Sequence, residues 1–204
     1  RDCLLSRGLG DVYKRQQRIH AERLLISTAL APKTSASQTG QWYTAHDYRA
    51  HGEIVDFVVI MTYEWGYSAG PPMAVSPIGP VRQVLEYAKT EIPANKIMMG
   101  QNLYGYDWTL PFVKGGAYAR AISPQTAISL ARENHAFIEY DYTAQAPFFY
   151  YRDASQKQHV VWFEDARSIQ AKFDLLKELS LRGVSYWKLG WDFPVSYTHL
   201  RAHE

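Results

Sequence analysis

The chain has 204 residues, 47% hydrophobic and 21% charged, with a formal net charge of +2. This is ordinary globular composition, which excludes a disordered or fibrous chain. The basic residues are scattered among acids and form no stripe, so nucleic acid is not expected as a partner.

In chain order, Arg1–Gln16 shows neither a helical nor an alternating period and reads as a non-native terminal tail, similar to translated adapter or vector sequence. Arg23–Ala31 reads as a strand closed by Pro32 and a polar loop to Gly40. A short helix is expected near residues 43–53. Phe57–Met61 is a continuous apolar run, the signature of a strand buried on both faces of a parallel sheet. It ends in Tyr63, Glu64 and Trp65, and such strand ends are where α/β folds hold their ligands. A Gly/Pro-rich loop, Gly66–Pro80, follows. Pro80 suits a first helical position, Val81, Val84, Leu85 and Ala88 recur at helical spacing, and Pro93 stops the run. Lys96–Tyr104 is the next strand. Ser123-Pro124 opens a helix expected to carry Ala127, Ile128 and Ala131 on one face. Phe148–Tyr151 and His159–Phe163 alternate around a polar turn and read as a hairpin. Asp165 is the expected N-cap of a helix with Ile169, Phe173, Leu176 and Leu179 on one stripe, ended by Gly183. Val184–Leu189 is the last strand. Ser196–Glu204 is polar and patternless, a second non-native tail, which leaves residues 17–195 as the folded part.

Strands alternating with helices argue for an α/β fold with a parallel sheet, interrupted by an α+β insertion at about 105–164. A closed eightfold barrel takes about 250 residues, and only four barrel-type strands are legible here. Cys3 is the only cysteine, so an intrachain disulfide or a cysteine-based metal site is ruled out. His46 and His51 are spaced poorly for helix-face zinc ligands, and no Gly-rich phosphate loop appears. No metal and no cofactor are expected. No apolar run approaches the roughly 18 residues of a membrane helix, the start does not read as a signal peptide, and no membrane partner is expected. The 15 Tyr and 6 Trp suit either a large core or a cleft with aromatic sugar platforms.

Seven stretches, in order, carry a family resemblance: Ser27–Lys33, Met61–Trp65, Gly70–Pro72, Lys96–Gly100, Leu103–Trp108, Val161–Asp165 and Gly183–Trp187. The chain resembles glycoside hydrolase family 18, the chitinase-like (β/α)8 barrels, and within it the spore-germination, cortical-fragment-lytic type of N-acetylglucosaminidase. The resemblance implies the carboxyl-terminal half of a TIM barrel, strands five to eight, with a small α+β insertion before the last helix. It implies a peptidoglycan or chitin-type oligosaccharide as partner, a spore or cell-wall setting, and LysM-type wall-binding modules upstream in the parent.

The family's chemistry is substrate-assisted, an exception among retaining glycosidases. A glutamate protonates the leaving oxygen, and the substrate's own acetamido oxygen attacks the anomeric carbon. The acid belongs to an Asp-x-Glu at the fourth strand. No Asp in this chain is followed two residues later by Glu, so the acid is expected upstream and the chain alone is expected to be inactive. Tyr63 matches the tyrosine that positions the acetamido group. Glu64 matches an acidic neighbour that can bond a sugar or steady the catalytic pair by charge, and Trp187 matches the tryptophan that floors the central subsite. Asn102, Tyr104, Asp107 and Trp108 are expected to face the cleft, although many members have proline where Asn102 stands. Trp65 and Trp108 are either outer platforms or loop packing. Glu164 and Asp165, adjacent at a strand end, point opposite ways and make a poor acid/base pair. Three readings are weighed: a glycosidase fragment, which is favoured, a non-catalytic carbohydrate-binding barrel, and a different barrel enzyme, for which no cofactor motif is found.

Overall fold

A computed structural model describes residues 2–188, 190 and 191. It divides into two compact units. The first comprises Arg1–Thr62, Arg82–Gly100 and Leu176–Ser185, and the second Tyr63–Val81, Gln101–Leu175 and Tyr186–Glu204. The expected tail at Ser196–Glu204 lies outside the described residues.

The chain begins with helix α1 (Asp2–Ala21), where the sequence reading expected no regular element. Leu, Arg, Lys and Gln are good helix formers even without a clean apolar stripe. An Arg15–Asp11 ion pair and a Gln17–Tyr13 hydrogen bond, each four residues apart, support it. Arg23, in a left-handed conformation (φ 58°), ends this segment, and Leu24 and Leu25 are exposed. The first strand is therefore shorter than its apolar run: β1 is Ser27–Leu30.

Helix α2 (Tyr48–Ile54) is capped by Asp47, whose side chain accepts from the Ala50 amide. Strand β2 (Phe57–Ile60) pairs in parallel with β1, Leu30 opposite Ile60. Helix α3 (Ile78–Glu91) starts two residues before Pro80. Proline is tolerated there because first-turn amides have no intrahelical acceptor. Strand β3 (Ile97–Asn102) pairs in parallel with β2, and the four-stranded sheet has the order β1-β2-β3-β9, with β9 at Gly183–Trp187. Leu30, Val58, Ile60, Val84, Leu85, Ile97 and Met99 are buried in the first unit. That both faces of β2 are apolar follows from the continuous run.

The run Lys96–Tyr104 is not one strand. It ends at Asn102, and β4 (Gly105–Thr109) begins a second sheet. The order there is β5-β4-β8-β7-β6, with β5 at Arg120–Ile122, β6 at Glu139–Asp141, β7 at Ala146–Arg152 and β8 at Gln158–Trp162. Each neighbouring pair in this sheet is antiparallel, and β7–β8 is the expected hairpin. Gly105 is required by proximity: a Cβ there would lie 2.2 Å from the Trp162 carbonyl oxygen. Tyr106, Trp108 and Val160 join one apolar cluster, while Val161, Phe149 and Ile122 join another, as alternation demands.

Helix α4 (Pro124–Glu133) is N-capped by Ser123, whose hydroxyl accepts from the Thr126 amide. Ala127 and Ala131 are buried but Ile128 is exposed. The expected face was one residue too wide, because adjacent positions 127 and 128 lie about 100° apart around a helix of 3.6 residues per turn. Helix α5 (Ala166–Glu178) has Asp165 as N-cap, accepting from the Arg167 and Ser168 amides. It ends before Gly183. Ser180 takes the left-handed position (φ 52°), and the Leu181 amide returns to the Leu176 carbonyl at 3.1 Å.

No helix among the described residues is long and apolar enough to cross a membrane.

Candidate functional site

All eight residues singled out in the sequence fall in the second unit. Tyr63 and Glu64 directly follow the strand β2 and its two-residue extension. Tyr63 is half-buried and packs against the cluster of Val75, Tyr104, Tyr106 and Trp108. Glu64 is exposed as a residue and sits in a left-handed conformation (φ 72°). That backbone state costs a non-glycine residue roughly 1–2 kcal/mol. Two tyrosine hydroxyls meet its carboxylate: Tyr104 Oη donates to Oε1 in a short hydrogen bond, and Tyr106 Oη donates to the same oxygen at 3.1 Å. The strained backbone and the two donors together aim one carboxylate.

Electrostatics keep these hydroxyls protonated. Burial, then the bond to Glu64 and its charge, pushes the Tyr104 phenol well above its ordinary range. Burial and then the Glu64 charge raise Tyr106, and the same two causes raise Tyr63. At neutral pH all three are hydrogen-bond donors. Tyr106 was missed in the sequence, although its place two residues after Tyr104 could have drawn attention to it. The left-handed turn at Glu64 left no sequence signal, since Glu is not a residue that favours that state.

Trp187 ends β9 and is 53% exposed, with its carbonyl accepting from the Leu103 amide at 2.8 Å. This bond ties the open indole to the residue beside Tyr104. The Trp187–Lys188 peptide is cis. Trp65 is half-buried, and its amide donates to the Val75 carbonyl at 3.0 Å, closing the loop that follows.

Three expected cleft residues are placed differently. Trp108 is buried at 2% exposure and its indole N–H donates to the Gly70 carbonyl at 2.9 Å, so it packs the loop instead of offering a free face. Asp107 points to the other side of β4 from Tyr106. Its carboxylate accepts from Tyr151 Oη (2.9 Å), pairs with His159 Nδ1 (2.8 Å) and meets Arg120 (3.3 Å). Period-two alternation separates it from Glu64. Asn102 is fully buried, with Nδ2 donating to the Tyr104 carbonyl (2.8 Å) and Oδ1 facing Ser76 Oγ (2.6 Å).

Glu164 and Asp165 do part company as the strand geometry required. Asp165 caps α5, while Glu164 is buried against Lys172 Nζ at 2.8 Å. Sequence reasoning did not find Lys172, since a lone lysine in a helix reads as a solvated one. Among the described residues no group of three His, Cys, Asp or Glu is arranged to hold a metal ion.

A parallel sheet is thus followed by an antiparallel α+β insertion, and a Tyr-Glu pair is held by further tyrosines. The family model for glycosyl hydrolases family 18 matches residues 7–192, and the chain belongs to that family. The cortical fragment-lytic enzyme of Bacillus subtilis (strain 168) is 74% identical over 178 residues, covering 87% of this chain and 41% of that protein. The crystal structure of the Bacillus megaterium QM B1551 spore cortex-lytic enzyme SleL superposes with a TM-score of 0.93 at 62% identity, over 98% of this chain and 46% of that one. A chitinase from Chromobacterium violaceum ATCC 12472 matches with a TM-score of 0.86 at 25% identity, over 95% of this chain and 59% of that one. The chain thus spans less than half the length of the first two, and its α/β architecture is part of a chitinase-type (β/α)8 barrel, open over these residues.

Proposed function

We propose that this chain is the carboxyl-terminal part of a spore-associated glycosidase that cleaves N-acetylglucosamine linkages in cortex peptidoglycan by substrate-assisted, retaining catalysis. The observation that carries this reading is the cluster of Tyr63 and Glu64 with Tyr104 and Tyr106, in a family 18 chain 74% identical to a cortical fragment-lytic enzyme. Tyr63, kept protonated by burial and by Glu64, donates to the acetamido oxygen and holds it for attack on the anomeric carbon. Glu64, anchored by two hydroxyls, accepts from a sugar hydroxyl without having to reorganise. The exposed Trp187 indole stacks against apolar sugar C–H faces. Tyr104 lends its hydroxyl to Glu64 and Asn102 holds the Tyr104 backbone; Trp65 borders the same loop. The general acid, an Asp-x-Glu glutamate, lies in the rest of the parent together with LysM-type wall-binding modules. Cortex fragments and N-acetylglucosamine oligosaccharides are the substrates, in the spore or its wall.

The test is steady-state kinetics of the parent, this chain joined to its upstream gene sequence, on cortex fragments and chitooligosaccharides. Turnover with retention of anomeric configuration is the expected result. Sugar binding without turnover, in a parent lacking Asp-x-Glu, would replace this reading with a carbohydrate-binding barrel.

A further inference from the structure

A buried polar chain runs from helix α5 to the Tyr104 backbone. Lys172 Nζ pairs with Glu164 Oε2 at 2.8 Å, with side chains only 2% and 1% exposed. Ser76 Oγ lies 2.9 Å from Glu164 Oε1 and 2.6 Å from Asn102 Oδ1, and Ser76 and Asn102 are both fully buried. Asn102 Nδ2 then donates to the Tyr104 carbonyl at 2.8 Å. The Tyr104 side chain in turn holds Glu64. Four separate pieces of chain meet here: the loop before α3, the β3–β4 corner, the end of β8 and α5.

Such a pair is not a cheap way to stabilise a core. Taking two charges out of water is unfavourable, and well-packed apolar replacements of similar volume are often neutral or stabilising. What an ion pair does supply is direction. Lys172 fixes the Glu164 carboxylate. Ser76 has a single hydroxyl proton, shared between Asn102 Oδ1 (2.6 Å) and Glu164 Oε1 (2.9 Å), and the shorter contact keeps the amide oxygen on Ser76 and its NH2 on the Tyr104 carbonyl. An apolar core fills the same space and leaves the Asn102 amide free to turn.

We infer that Lys172, Glu164, Ser76 and Asn102 form a positioning unit that sets Tyr104, and through it the Glu64 carboxylate, for sugar binding. None of the four touches substrate. The inference rests on the sugar-binding reading of the Tyr63–Glu64 cluster, and deepens it by naming what holds that cluster in register.

The experiment replaces the ion pair by apolar side chains, Glu164→Leu with Lys172→Met, in the full 204-residue chain. Three quantities are measured: the melting temperature, the nuclear Overhauser contact between the Tyr104 ring and the Glu64 side chain, and the Kd for tetra-N-acetylchitotetraose. The expected result is an unchanged or raised melting temperature, a lost Tyr104–Glu64 contact, and a Kd about tenfold weaker, the size of one charge-assisted hydrogen bond. A purely structural pair moves stability and leaves contact and affinity alone. A folded double variant that keeps both the contact and the unmodified affinity overturns the inference. Should that variant fail to fold, Ser76→Ala cuts the same chain at one hydroxyl and is judged by the same contact. If the unmodified chain binds no sugar, the sugar reading of the cluster fails, while the Tyr104–Glu64 contact still decides whether the unit positions Tyr104.

Discussion

In the proposed function Tyr63 and Trp187 recognise sugar by different physical means, and mutation separates them. There the Tyr63 hydroxyl acts on one atom of the substrate at one stage. In the parent, Tyr63→Phe is expected to lower kcat by about 10–100-fold with little change in KM, because a positioned donor matters most in the transition state. Unchanged kcat in steady-state assays would return Tyr63 to the apolar cluster it packs against. Trp187 offers area instead of a proton. Trp187→Ala is expected to weaken tetra-N-acetylchitotetraose binding by this chain about tenfold, the upper end of an aromatic stacking contribution. Calorimetric titration checks it. At this scale the sequence exposed the motif residues and hid their partners. Asp107 and Trp108 looked alike in the sequence, two polar-tipped residues after a strand. Alternation sent Asp107 to Tyr151 and His159, and a backbone carbonyl of the loop claimed the Trp108 indole. Both outcomes depend on contacts tens of residues away, which no local pattern records.

Elements were legible where their ends carried a chemical signal. Ser123 and Asp165 cap α4 and α5 as their side chains foretold. The end of α5 was misread because glycine is the usual left-handed residue, and here Ser180 takes that role three positions before Gly183. Ser180→Gly is therefore expected to stabilise the chain by about 0.5–1 kcal/mol, since glycine enters that state without steric cost. Urea denaturation gives the value, and a loss of stability would contradict the assignment. The connection from β1 to α2 carries a pH dependence of its own. His46 Nδ1 accepts the Ala31 amide at 2.6 Å, which needs an unprotonated nitrogen. Burial first, then Lys33, lowers the His46 pKa; burial first, then His46, lowers that of His51. In the unfolded chain both sit near the ordinary value of about 6.5. Below that value the unfolded state binds more protons, so stability is complete above it and is lost as pH falls through the lower folded values. Melting temperature should drop as pH falls from about 7 towards 5. His46→Gln, which keeps an acceptor but takes up no proton, should flatten that slope.

For the whole molecule, the decisive feature is chemistry that the 204 residues do not contain. No Asp is followed two positions later by Glu, so the chain alone should not turn over chitooligosaccharides or cortex fragments, whatever it binds. A general acid contributes about 10²–10⁴-fold, and clear turnover by the purified chain would place an acid within it. The α/β class was readable from alternating strands and helices, because the period changes from two to 3.6 at each junction. The change from one sheet to the other was not. Lys96–Tyr104 reads as one strand in sequence, whereas the chain leaves the first sheet at Asn102 and enters the second at Gly105, where the Asn102–Tyr104 bond and the close approach at Gly105 lie.

The hydrogen bond from Trp108 to Gly70 makes the Gly66–Pro77 loop optically visible. An indole at 2% exposure, donating to a carbonyl, emits at short wavelength and is shielded from quenchers, whereas Trp42 at 73% exposure is quenched freely. With the other five tryptophans, Trp42, Trp65, Trp162, Trp187 and Trp191, replaced by Phe, lifting the loop would shift the Trp108 emission to the red and open it to acrylamide. Loop seating can thus be followed in real time by light, with no label and no substrate turnover.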